Sequence, residues 1–329
     1  MPVDLNSSNP QDQSLSLKNK TFEWHITITV EMVEDIADKI TAITVLQYYA
    51  QQKYSKQKNE QQYAELSNSE LKKAISKGAL WLTPATNKKQ TQRLRRVKKP
   101  LNIGDELHFY YNNAVLSTTV PPARLIADLT DYSVWYKPYG MLSQGSKWSD
   151  HCTIARFAQL NLPNERPAFI VHRLDKAATG LILIAHTKKA AQALSAMFEH
   201  HQLVKIYHII VHGNHSGRSQ PEIIKQEVDQ KPARSTFNCL AYDKTLDRSL
   251  IQVKIDSGRK HQIRIHAASI GMPVVGDRLH GIADENEVLD LQLCAVSLAF
   301  DCPLTGNDNS LEAKPRFFEL PEILKPQLT

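Results

Sequence analysis

Apolar positions along this chain follow two periods. Trp24, Ile26, Ile28 and Val30 alternate with more polar neighbours, the period of two expected of a half-buried strand. Residues 31–64 are rich in Gln, Lys, Glu, Ala and Tyr, with Ile36, Ile40 and Ile43 at helical spacing, and predict helix. Ser67 or Ser69 can cap a second helix that carries Leu71, Ala74 and Ile75 on one side. Gly78 ends that helix and a strand begins over 80–82. Asn102-Ile103-Gly104-Asp105 is a turn signal before a strand over 106–111. Beyond residue 123 strand-like runs dominate, at 133–136, 169–171, 181–185, 203–211, 249–255 and 261–266. One strong helix follows Thr187, with Ala190, Ala193, Leu194, Met197 and Phe198 on one face. Residues 212–231 are polar and read as a surface insertion.

Strands and helices do not alternate regularly, which argues against a doubly wound parallel sheet. The predicted fold is α+β: a mixed, largely antiparallel sheet with packed helices and a central cleft, preceded by a small α/β domain. The division expected is a disordered tail over 1–20, a helical extension and small domain over 21–112, a linker over 113–122 that closes on Pro121-Pro122, and the main domain over 123–329.

Composition changes this picture in one place. Of the 329 residues 42% are apolar and 22% charged, ordinary values for a globular protein. The formal net charge of +6 is modest, but residues 66–105 hold ten Lys or Arg against two acidic residues. Such clustering is the electrostatic footprint of a nucleic-acid binder. Lys72, Lys73, Lys77, Arg93, Arg95 and Arg96 are its candidate RNA contacts. The serine-bearing helix, glycine turn and closing Gly-Asp turn resemble the small S-four-type RNA-binding domain first known from a ribosomal protein. That family's Val-Asn-Gly hairpin is replaced here by Trp81-Leu82-Thr83-Pro84. Cys152, Cys239, Cys294 and Cys302 form no CxxC pair, which argues against structural zinc and a disulfide framework and fits a reducing compartment. No apolar run approaches the roughly 20 residues of a membrane span. The polar N-terminal stretch has no apolar core of a leader, so the cytoplasm is the expected location.

The stretch FIVHRLDKAATGLILIAHT, residues 169–187, sets His172, Arg173 and Asp175 between two apolar runs. A carboxylate among apolar walls must pair or become protonated. Residues 262–266, read as a strand, put Gln262, Arg264 and His266 on one face and Ile263 and Ile265 on the other. Arg264 could then grip Asp175 through two parallel hydrogen bonds and keep it ionised. Lys205, Tyr207, Ile209 and Val211 share a face of the 203–211 strand; alone, Tyr207 reads as a core or interface tyrosine. His172, His261 and His266 lack acidic or cysteine partners at ligand spacing, so no metal site is expected.

In order along the chain, these segments resemble the RluA-type pseudouridine synthases. His172-Arg173-Leu174-Asp175 with Thr179-Gly180 is similar to the HRLDxxTSG motif, and Lys205-Ile206-Tyr207 to a lysine two residues before a tyrosine. Residues 258–266 are similar to GRTHQIRVH, Lys137-Pro138-Tyr139-Gly140 to a KPxG turn and residues 271–277 to GHPxxGD. Cys294-Ala295 through Cys302-Pro303 resembles the family's last strand. The resemblance implies isomerisation of uridine to pseudouridine in structured ribosomal or transfer RNA, without metal or organic cofactor. It assigns the essential carboxylate to Asp175, the ring that stacks on uracil to Tyr207, and the partner of the aspartate to Arg264. Arg173 becomes the residue that fills the gap left by the flipped base, with His172 beside it on the RNA-facing side. A monomer is expected. Ala178-Thr179, Lys260 and Cys294 depart from the motifs, standing for Thr-Ser, Thr and His. Two other classes stay open at this point: a catalytically silent RNA-binding or ribosome-assembly factor on the same fold, and a glycoside hydrolase, which would need a second carboxylate that is not evident.

Overall fold

A computed structural model describes residues 20–56, 66–218, 221–282, 288–304 and 314–328. The tail expected over 1–20, Lys20 apart, and the end of the helix expected over 31–64 lie outside the described residues. The chain divides into two compact units. The first holds Met1–Thr119 with Gly145–Cys152, the second Val120–Gln144 with Thr153–Thr329. Residues 145–152, assigned from sequence to the main domain, thus group with the first unit. No helix among the described residues is long and apolar enough to cross a membrane.

The first unit contains β1 (Thr21–Thr27), α1 (Val30–Asp35), α2 (Ala42–Lys56), α3 (Asn68–Ser76), β2 (Leu80–Thr83), β3 (Gln92–Arg93), β4 (Glu106–Asn112) and α4 (Asn113–Ser117). Its sheet has the order β1-β4-β2-β3. The register sets Trp24 opposite Phe109 and Ile26 opposite Leu107, so the alternating apolar residues share one face. Val45 and Leu46 of α2 and Leu71, Ala74 and Ile75 of α3 pack in the same core. Ser67 and Glu70 form a reciprocal capping box at the start of α3. The stretch expected to be helical over 31–64 holds two helices, α1 and α2, with a break between them. Ile36 is extended, Thr41 bridges Pro100, and the Thr41 hydroxyl accepts from the Thr44 N–H to start α2. The expected linker opens with α4, which buries Leu116.

The second unit contains β5 (Arg124–Asp128), β6 (Tyr132–Lys137), α5 (Ile154–Asn161), β7 (Phe169–Ile170), β8 (Thr179–Ala185), α6 (Lys188–Glu199), β9 (Leu203–His212), β10 (Glu222–Ile224), β11 (Ser235–Asp243), β12 (Arg248–Ile255), α7 (Gln262–Ser269), β13 (Leu293–Asp301) and β14 (Pro315–Glu319). A ten-stranded sheet runs β10-β11-β12-β9-β13-β8-β6-β5, with β14 on β13 and β7 on β8. Among the described strands the β13–β8 pairing alone is parallel, which makes the sheet mixed and largely antiparallel. The 212–231 stretch adds β10 to the sheet edge and buries Val228. β8 is dry on both sides: Ile182 and Ile184 join the core on one face, Leu181, Leu183 and Ala185 the core on the other. Thr187 caps α6 as expected.

The HQIRIH segment is a helix, not a strand. The apparent alternation of Ile263 and Ile265 misleads. The pairs that matter are Ile263 with Ala267, which face the core, and Gln262 with His266, which both hydrogen-bond the Ser235 hydroxyl. Each pair is four residues apart, the helical period.

One row of paired residues crosses the middle of the sheet. Val253 lies opposite Tyr207, Tyr207 and Gly180 both lie opposite Ala295, and Gly180 lies opposite Lys137. Gly180 has φ +111°, and a Cβ there would meet the Ala295 carbonyl oxygen at 2.3 Å and its nitrogen at 2.4 Å. Backbone cannot give way as a side-chain tip can. Gly180→Ala is expected to destabilise the protein by about 2–5 kcal/mol, measured as a shift in urea midpoint. A change below about 0.5 kcal/mol would contradict so close an approach of β8 to β13.

Candidate active site

Asp175 lies in the loop between β7 and β8, and the loop is held on both sides of it. The Leu174 N–H donates to the Ser143 hydroxyl at 3.0 Å, and that hydroxyl donates to the Leu174 carbonyl at 2.7 Å. The Lys176 carbonyl accepts from the Gly140 N–H at 2.9 Å and from Lys137 Nζ at 3.4 Å. Lys137 is fully buried, and its ammonium also donates to the Pro138 and Met141 carbonyls. Burial pulls its pKa down to about 7, against the opposing pull of the Asp175 carboxylate. The Lys-Pro-Tyr-Gly turn is thus a clamp for the aspartate loop. The Asp175 side chain keeps 31% of its surface exposed.

Arg264 approaches from α7, but its two-pronged grip is not on Asp175. Nε donates to Asp277 Oδ2 at 2.7 Å and Nη2 to Oδ1 at 2.5 Å. The remaining nitrogen, Nη1, lies 3.7 Å from Asp175 Oδ2. The expected fork onto Asp175 is corrected accordingly. A helical 262–269 segment aims the Nε–Nη2 edge of the guanidinium at Asp277 and leaves Nη1 for Asp175. Both members of the Arg264–Asp277 pair are buried, at 5% and 3% exposure. Asp277 also accepts from the N–H groups of Leu279 and His280 at 3.0 and 3.1 Å. Burial alone would raise its pKa; the Arg264 hydrogen bonds and these backbone donors outweigh it and hold the carboxyl below its usual range. Arg264 is likewise pushed up, since Asp277 first and Asp175 second overcome its burial.

Tyr207 is 8% exposed in the middle of β9. Burial first and Asp175 second push its phenol pKa up, so it stays protonated at neutral pH. Two cavities meet at Asp175. A small one of about 80 Å³ is lined by Tyr207, Ala178, Ile255, Gln262, Ile263 and Leu293. A larger one of about 360 Å³ has a basic lining of Lys176, Lys260 and Arg278 with Tyr139 and Ser143. Arg173, Leu174, Asp175, His261 and Arg264 line both. Arg173 is exposed. A still larger open cavity of about 660 Å³, at the ends of β9, β12, β13 and β14, contains none of Arg173, Asp175, Tyr207 and Arg264.

His172, assigned to RNA contact from sequence, turns into the protein instead. Its Nε2 accepts from the Leu183 N–H at 3.0 Å, and its ring stacks on Phe198 at 4.1 Å. Burial, with a smaller push from Lys205, lowers its pKa to about 3, so it packs as a neutral ring. The six basic candidates belong to the first unit and split evenly. Lys72, Lys73 and Arg96 are exposed. Lys77 donates to the Leu116 carbonyl, Arg95 pairs with Asp150, and Arg93 bonds the Gly78 and Ser146 carbonyls while lying 4.2 Å from the Trp81 ring. Sequence reasoning missed Asp277, His261 and His280 as parts of the site. The available signal was that a buried Arg264 needs a full carboxylate partner.

The sequence profile of the RNA pseudouridylate synthase family matches residues 131–269. An uncharacterized RNA pseudouridine synthase of Aquifex aeolicus is 28% identical over 270 residues, covering 73% of this chain and 83% of that one. The tRNA pseudouridine synthase C of Yersinia pestis is 32% identical over 176 residues, 44% of this chain and 68% of that protein. The ribosomal large subunit pseudouridine synthase D of Zymomonas mobilis is 29% identical over 164 residues, 44% and 52% of the two chains. The chain belongs to the RNA pseudouridylate synthase family. It is an isomerase of RNA uridine, of the RluA type that its motifs resemble.

Removing one member of a buried ion pair strands the other. Asp277→Asn is expected to cost about 3–5 kcal/mol at pH 7. A depressed carboxyl pKa contributes stability above the unfolded value, and that contribution is lost as pH falls through the folded value. The gap between wild type and variant in urea unfolding should therefore be full at pH 7 and narrow below about pH 4. A gap that does not change with pH would contradict the pairing.

Proposed function

We propose that Asp175, Tyr207, Arg264 and Arg173 carry out the isomerisation on a uridine flipped out of ribosomal or transfer RNA. The observation that carries this reading is the meeting of two cavities at one carboxylate, with a small tyrosine-lined pocket on one side and a basic rim on the other. A base inside a stem is out of reach and must be extruded at a cost of a few kcal/mol. Stacking on an aromatic ring returns about 1–3 kcal/mol, and Tyr207 is the ring available. Arg173 at the lip can fill the vacated space and stack or bond to its neighbours. Cleavage of the C1′–N1 bond builds positive charge on the sugar, which a carboxylate stabilises. The uracil then turns and C5 bonds to C1′. The C5 proton leaves and N1 gains one, so the product is an isomer of the substrate. Ala178, Ile255, Ile263 and Leu293 wall the small cavity and favour recombination over escape.

The basic rim supplies phosphate contacts that position the strand without reading its sequence. In this reading the first unit is an S-four-like RNA-binding domain in which Lys72, Lys73 and Arg96 are the exposed members of the six basic candidates. The enzyme acts as a monomer in the cytoplasm, where its four cysteines, none of them in a disulfide, stay reduced.

The test is tritium release from RNA labelled at uridine C5. Wild type should release tritium; Asp175→Asn should bind the RNA with similar affinity and release none. Release by the variant near the wild-type rate would remove Asp175 from the reaction. Retention of tritium by wild type that still binds RNA would make the protein a silent binder.

A further inference from the structure

Asp175 has a second polar neighbour besides Arg264. His261 Nε2 lies 3.7 Å from Asp175 Oδ2, the same distance as Arg264 Nη1. The other ring nitrogen of His261, Nδ1, lies 2.9 Å from Nε2 of His280, with the rings edge to face. His280 in turn is fixed by Asp277, whose Oδ1 accepts its backbone N–H. Both neighbours of Asp175 are therefore tied to one buried carboxylate, Arg264 directly and His261 through His280. The backbone at His261 reinforces the point. It is the N-cap of α7 with φ 56°, a left-handed conformation that non-glycine residues rarely adopt and that persists only where the surroundings demand it. That backbone sets the imidazole on the wall shared by both cavities.

We propose that His261 is a positioning residue: neutral, it donates Nε2–H to the Asp175 carboxylate, while His280 donates to Nδ1 and fixes the tautomer. This inference rests on the reading of Asp175 as the essential carboxylate. A rotation of either side chain closes the 3.7 Å gap to a hydrogen bond, as is common when a site engages its substrate. The groups that face His261 are Asp175 from the β7–β8 loop, Arg264 from α7, His280 from the turn after Asp277, and Lys260 beside it. Burial foremost, then Arg264, His280 and Lys260, hold its pKa below the ordinary imidazole value, against the upward pull of Asp175. At neutral pH the ring adds a donor and no charge. Once protonated it forms an ion pair with Asp175 and draws away the carboxylate oxygen needed at the sugar. The site is then switched off from the acid side.

The test is single-turnover tritium release by the full chain between pH 5 and 8.5, with RNA affinity measured at each pH. Glutamine places an amide N–H close to the position of Nε2 and does not titrate. Asparagine tolerates the left-handed backbone, but its amide ends short of Asp175. Wild type should lose rate about tenfold per pH unit below an inflection under about 6.5. His261→Gln should be slower than wild type at pH 8 but level across that inflection. His261→Asn should fall at least tenfold at pH 8 and bind RNA as wild type does. The inference is overturned if His261→Gln keeps the wild-type inflection, or if His261→Asn matches wild type at pH 8. Tritium release by Asp175→Asn at the wild-type rate would instead overturn the reading beneath it, and this inference with it.

Discussion

A guanidinium is only as steady as the charge behind it. The buried Arg264–Asp277 pair is the constraint on which the rest of this site depends. A buried pair does little for net stability compared with apolar side chains of the same volume, and breaking it is costly. Its use here is geometric. Asp277 occupies two of the three guanidinium nitrogens, so α7 cannot rotate without losing both bonds, and the third nitrogen is presented to Asp175. The turn that delivers Asp277 is equally constrained. Gly276 has φ +73°, and a Cβ there would meet the Asp290 carbonyl oxygen at 2.4 Å.

The opposite side of Asp175 is held by different means. Ser143 and the buried Lys137 fasten the carbonyls of Leu174 and Lys176. The carboxylate between them stays about one-third exposed, at 31%, while the backbone on either side of it is hydrogen-bonded. The sheet then aligns the two halves. Gly180 lets β8 approach β13, and Ala295 of β13 lies opposite both Gly180 and Tyr207. The tyrosine ring and the aspartate loop thereby meet at one hollow, although they come from separate strands. Arg264 and Asp277 are fixed by buried polar bonds, Tyr207 by packing, and Arg173 stays exposed on the wall shared by both cavities.

Much of this was legible before any coordinates. The two-sided apolar run at 181–185 predicts a buried strand, Thr187 predicts the cap of α6, and the choice of Ser67 or Ser69 as cap brackets the start of α3, where the structure selects Ser67. The ordered motifs point to Asp175, Tyr207 and Arg264 together. Features set by three-dimensional partners were not legible. HQIRIH satisfies a strand period and a helix period at once, and only the facing Ser235 and the core select the helix. His172 stands next to Arg173 in a loop, and sequence cannot say that one ring packs on Phe198 while its neighbour faces solvent. The run Arg93–Arg95–Arg96 reads as one basic patch, yet Asp150, far along the chain, engages two of the three. Long-range pairing of charge leaves little trace in local pattern.

The most direct measurement is the single-turnover rate of Arg264→Lys, with RNA affinity and thermal stability followed in parallel. Lysine keeps the charge but offers one point of contact where the guanidinium offers three. If Arg264 works by bridging Asp277 and Asp175, the variant should still bind RNA yet lose most of its pseudouridine formation. A rate near wild type would mean that charge alone suffices and that the bridge is not what holds the site.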